Sequence, residues 1–93
     1  MAIETKLITA NSTWQEISNS AFTTITITQD QTFSTKTGGA LYIGSTTPTA
    51  NTQDYIQLSP QTLPIQLNQL TGSDKVYVKS TSSDNTKLRI IRG

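Results

Sequence analysis

Apolar residues in this chain recur at every second position in short bursts and never hold a helical period for long. Residues 22–28 (FTTITIT) show this most clearly. Ile25 and Ile27 fall on one side, with Thr24, Thr26 and Thr28 on the other, the pattern of a half-buried β-strand. Between residues 38 and 80 lie four more bursts, at 41–43, 55–58, 63–67 and 76–78, separated by polar, glycine- or proline-bearing breaks. Each is too short for a helix and alternates with period two, which predicts strands. Ile56 and Leu58 share a face opposite Tyr55, and Leu63, Ile65 and Leu67 share another. Pro64 cannot donate to a ladder, so its strand is expected at a sheet edge or to begin pairing after it.

The opening segment, residues 3–8, also reads as a strand. Ile3, Thr5 and Leu7 lie on one side and Ile8 on the other. Apolar residues on both sides suggest cover by something beyond the segment, such as another chain; a terminal strand with one exposed isoleucine is the simpler reading. Residues 10–13 form a turn. Ser12 with Gln15, or Thr13 with Glu16, has capping-box spacing. No helical pattern follows, so a short strand or single turn is expected around Trp14. That tryptophan is read as an edge-of-core residue, or else as an exposed contact. A short strand at 32–35 precedes a turn at 36–39, where paired glycines supply positive φ at low steric cost. Residues 45–53 form an exposed loop, and 59–62 and 71–74 are turns.

The last two strands, residues 75–80 and 86–92, flank a polar connection at 81–85. A hairpin centred on Ser83 sets Val78 against Leu88 and Val76 against Ile90 on the inner face. It also sets Tyr77 against Arg89, a cation–π pair, and Lys79 against Lys87, a like-charge pair that an acidic partner surface would relieve. Charge reversal at both lysines is then expected to weaken association with that partner. These readings predict an all-β chain: a compact antiparallel β-sandwich or β-barrel of about seven to nine short strands. Residues 1–12 form an extended N-terminal arm or first strand, and residues 13–93 a single β domain.

Composition narrows the function. Threonine and serine make up about three residues in ten of the 93, and only 14% are charged. With a net charge of +1 the chain lacks the charge excess that goes with disorder, and threonine suits an outward strand face. The charge is uneven: Lys75, Lys79, Lys87, Arg89 and Arg92 outweigh Asp84 in residues 75–93, while residues 1–74 are net acidic. There is no cysteine and no histidine, so disulfides, thiolate metal sites and the commonest general base are all missing. No oxygen-ligand loop of EF-hand type occurs, the paired glycines lack the Lys-Ser/Thr of a P-loop, and the carboxylates are spread singly. An enzyme, a cofactor and a metal are therefore not expected. Sparse aromatics without interleaved basic residues argue against nucleic acid, and no apolar run is long enough to span a membrane. Without a cationic segment and apolar run at its start, the chain is expected to be made and folded in a reducing cytoplasm.

Four stretches carry a resemblance: TWQEIS (13–18), GGALYIGSTTPT (38–49), DYIQLSPQTLPIQL (54–67) and KVYVKSTSSDNTKLRIIR (75–92). In these the chain resembles the small all-β structural proteins of tailed bacteriophage virions, particularly capsid decoration (cement) proteins. One departure is Gln61, where such proteins often have glycine after the turn proline. The resemblance implies a homo-oligomer, often a trimer, that sits on the major capsid protein at the virion surface and stabilises the shell without an active site. Candidate interface residues are Ile3, Leu7 and Ile8 of the first strand, Trp14, and Tyr77, Lys79, Lys87 and Arg89 of the last two strands. The competing expectation is a receptor- or carbohydrate-binding module of a tail fibre or spike. There Tyr42, Tyr55 or Tyr77 and the loop 45–53 would form a glycan platform.

Overall fold

The alternating bursts become strands in a computed structural model, which describes residues 3–18, 22–29, 38–58, 63–81 and 84–93. Within them the strands are β1 (Glu4–Ala10), β2 (Gln15–Glu16), β3 (Ile25–Gln29), β4 (Gly39–Gly44), β5 (Ile56–Leu58), β6 (Ile65–Leu67), β7 (Lys75–Ser80) and β8 (Thr86–Arg92). The expected strand at 32–35 and the turn at 59–62 lie outside the described residues. Two four-stranded sheets form, ordered β1-β8-β3-β6 and β2-β7-β4-β5, and every pairing is antiparallel. The chain is a β-sandwich.

Both sheets turn an aliphatic face inward. Ala10, Ile25, Ile27, Leu88 and Ile90 from the first meet Leu41, Leu58, Val76 and Val78 from the second, with Ile17 beside them. Burying each larger side chain contributes about 1.5–3 kcal/mol. Ile8 points inward and packs against this cluster, so the apolar residue opposite Leu7 is covered by the chain's own second layer. β1 itself pairs along its whole length with β8. β6 is an edge strand that begins just after Pro64, as the missing amide hydrogen requires.

Polar ties close the rim of the sandwich. Buried Thr86 donates through Oγ1 to the Gly38 carbonyl at 2.7 Å and accepts from the Gly38 amide at 3.0 Å. Ser18 Oγ accepts from the Val76 amide at 2.9 Å. Arg92, at the end of β8, donates to Glu4 Oε1 at 2.6 Å and to the Ile17 carbonyl at 2.7 Å, and its guanidinium lies 4.9 Å from the centre of the Phe22 ring. One cation thus joins the first sheet to the segment leading out of β2. At the β1–β2 turn, Asn11 Oδ1 accepts from the amide and hydroxyl of Thr13, a local bond that favours a turn over a helix.

Two expectations are corrected. β7 and β8 do not form a hairpin: they belong to different sheets, with β7 between β2 and β4 and β8 between β1 and β3. With β7 and β8 in opposite sheets, Val76 and Val78 meet Leu88 and Ile90 through the core and not across a ladder. Lys79 and Lys87 therefore end on opposite outer faces, as do Tyr77 and Arg89. The premise of the double charge reversal is thereby removed. Nor does Gly39 serve a positive-φ turn, for no described glycine has positive φ. It lies within β4, where an added Cβ would stand 3.1 Å from Leu58 Cδ1, so its use is close packing.

Oxidative cross-linking distinguishes the two registers, because the chain has no cysteine of its own. Thr9 lies opposite Lys87 in the β1–β8 ladder, within the roughly 4.4–6.8 Å Cα separation that a disulfide bridges. The double variant Thr9→Cys/Lys87→Cys is expected to form an intrachain disulfide under mild oxidant. Lys79→Cys/Lys87→Cys should stay reduced as a monomer. The reverse result on non-reducing gels and peptide mass spectrometry would restore the hairpin.

Candidate functional site

Alternation along β7 and β4 sends Tyr77, Lys79 and Tyr42 outward from the second sheet, since Val76, Val78 and Leu41 are in the core. Tyr42 and Tyr77 are register partners, and their rings lie 6.3 Å apart. Gln15 is paired with Val78, which leaves Trp14 on the outer side. Its ring is 6.0 Å from Tyr42 and 6.3 Å from Tyr55, all tilted as edge-to-face packing prefers. The only tryptophan and all three tyrosines of the chain thus gather on one outer face. Gly44 makes room for them: a Cβ there would lie 2.7 Å from Tyr42 Cε1.

The connection from β4 to β5 is laid across this aromatic layer and held at three points. Tyr77 Oη and Thr47 Oγ1 share a hydrogen bond of 3.1 Å, Trp14 Nε1 donates to the Thr49 carbonyl at 3.2 Å, and Lys79 Nζ donates to the Ala50 carbonyl at 3.1 Å. The same ammonium lies 4.8 Å from the centre of the Trp14 ring. Tyr77 is consequently only 5% exposed, a covered anchor and not a contact surface. Beside the pinned loop is a cleft of about 400 Å³ whose walls include Asn51, Gln53, Tyr55 and Lys79. A smaller hollow of about 260 Å³ lies against Trp14 and Pro48.

The outer face of the first sheet differs. Its outward positions are Thr5, Leu7 and Thr9 of β1, Lys87, Arg89 and Ile91 of β8, Thr26 and Thr28 of β3, and Gln66 of β6, by register with the inward residues. Among these Leu7 is 42% and Ile91 46% exposed, and Ile3, in line with Leu7, is 75% exposed. The eight residues singled out from sequence therefore separate. Ile3, Leu7, Lys87 and Arg89 share the first sheet's outer face, Trp14, Tyr77 and Lys79 share the second's, and Ile8 is turned into the core. Ile91 was missed. The adjacent pair Ile90-Ile91 was the available signal, because alternation forces one of the two outward.

No group of three acidic, histidine or cysteine side chains is placed to hold a metal ion among the described residues. Nor does any helix there have the length and apolarity to cross a membrane. What the two faces offer is contact chemistry: aliphatic on one side, aromatic and neutral polar on the other. No protein-family model matches the chain, and neither a curated protein nor a solved structure does so.

The aromatic layer yields a stability test. Trp14→Ala removes two ring contacts, the lysine cation–π contact and the bond to Thr49, and is expected to cost about 2–4 kcal/mol in urea unfolding. Tyr77→Phe loses one hydrogen bond and should cost about 0.5–1.5 kcal/mol. Hydrogen exchange at the Thr52 amide, which donates to the Thr49 carbonyl, should accelerate in both variants. Unchanged exchange would mean that the loop holds its shape without the rings.

Proposed function

We propose that this chain is a non-enzymatic structural protein of a phage virion, a capsid decoration protein that works by attachment to copies of itself and to the shell. The observation that carries this reading is the exposed aliphatic stripe of Ile3, Leu7 and Ile91 on an otherwise threonine-rich sheet face. Isolated surface aliphatics are ordinary, but three on one face beside an edge strand are what an interaction surface needs. Among the described strands β1 is that edge strand, so the stripe adjoins the sheet edge. In the proposed assembly the stripe is the contact between copies, with a trimer as the expected state. Lys87 borders the stripe and favours an acidic surface on the major capsid protein. The threonines keep the unassembled protomer in solution without a large net charge.

The test uses purified protein and empty shells of the encoding phage. Sedimentation analysis should show a concentration-dependent oligomer. In the variant Leu7→Glu/Ile91→Glu it should dissociate about 100-fold more readily, given the burial that two such side chains contribute, with circular dichroism unchanged. The unmodified chain should co-sediment with shells in many copies per particle, and the variant should not. A monomer at all concentrations that ignores shells would overturn the proposal.

A further inference from the structure

The geometry points to a saccharide-binding cleft on the second sheet's outer face, a site opposite the aliphatic stripe and independent of the role proposed for it. The cleft of about 400 Å³ lies between the pinned loop and the β1–β2 turn. That volume is near the low end for small-molecule sites, the size for one or two sugar units. The residues that line it include Asn51 and Gln53, which carry amides, Ser12 and Thr81, which carry hydroxyls, and Tyr55, which carries a ring. Amides and hydroxyls both donate and accept, which matches the vicinal hydroxyls of a sugar. An aromatic ring suits the apolar face of a pyranose.

Two further features fit this ligand. The loop beside the cleft is organised in advance, because Thr49 and Ala50 are tied to Trp14 and Lys79 and the Thr52 amide closes a turn onto Thr49, so little ordering remains on binding. By contrast, no side-chain hydrogen bond from Asn51 or Gln53 to a described residue is part of that scaffold. The charge also fits a neutral ligand. Among the described residues Lys79 is the one cation that lines the cleft, and it already engages the Ala50 carbonyl and the Trp14 ring. A phosphate or nucleic-acid strand would call for several cations along the groove. A proline-rich peptide would call for a mainly aromatic groove, whereas this wall is mostly hydroxyl and amide.

The test is a printed glycan array, followed by titration of ¹⁵N-labelled protein with the best-bound oligosaccharide and, in parallel, with inorganic phosphate and a proline-rich decapeptide. The expected result is saturable binding of at least one neutral glycan, with amide shifts centred on residues 50–55. The variant Asn51→Ala/Gln53→Ala should weaken that binding about tenfold or more, for the loss of two neutral hydrogen-bonding groups, while melting as the parent does. Leu7→Glu/Ile91→Glu should bind the glycan normally, which separates this site from the proposed assembly surface. An array without signal, or shifts with phosphate or the peptide alone, would overturn the inference.

Discussion

Everything in this molecule depends on the closure of two small aliphatic faces over each other. Neither sheet is viable alone, since Ile25, Ile27, Leu88 and Ile90 on one and Leu41, Val76 and Val78 on the other would face water. A chain of 93 residues buries only about 60–65% of its unfolded surface, so this closure has little in reserve. The rim bonds of Thr86, Ser18 and Arg92 matter for that reason. Each satisfies backbone groups where the layers meet, and a buried group left unsatisfied there would cost about 1–3 kcal/mol.

The two outer faces are treated unequally. The second sheet is roofed: its aromatics form a further layer under the β4–β5 connection, with Lys79 and Tyr77 as the posts that hold it. Among the described residues nothing is laid over the first sheet, and its outward residues are threonines, a glutamine, two cations and the aliphatic stripe. The inequality follows from connectivity. Consecutive strands β4 and β5 are ladder neighbours, so the long connection between them starts and ends on the second sheet, and its bonds to Tyr77, Trp14 and Lys79 lay it on that sheet's outer surface. No described connection is pinned in the same way over β1, β8 or β3.

The local pattern made the strands and their inward faces legible and left the partners hidden. Ile25 and Ile27, Val76 and Val78, Leu88 and Ile90 all point where alternation places them, and Pro64 marks an edge. Alternation reports which side of a strand is buried, but a strand of a sandwich meets its apolar neighbours both along the ladder and across the core. Val78 and Leu88 are in one core under either topology. A five-residue polar connection can fold back as a hairpin or cross between layers, and nothing within residues 81–85 separates the two. The aromatic face was hidden for the same reason. Trp14, Tyr42, Tyr55 and Tyr77 come from two strands, β4 and β7, and from the segments just before β2 and β5, and only the order β2-β7-β4-β5 brings them together.

The same crossing redistributes the charge. In sequence, five cations crowd into residues 75–93 and suggest a single basic patch. In space they divide. Lys75 lies 3.9 Å from Glu16 and Lys79 is bound to the loop, both on the roofed face. Arg92 is engaged by Glu4 and the Ile17 carbonyl. Only Lys87 and Arg89 are directed out from the first sheet's outer face. Attraction to an acidic partner there would draw on few surface charges, an interaction that salt screens over about 8–10 Å. The aliphatic side chains on that face act only at contact and are not screened. Attachment through this face should therefore be steered weakly by charge and held chiefly by Ile3, Leu7 and Ile91.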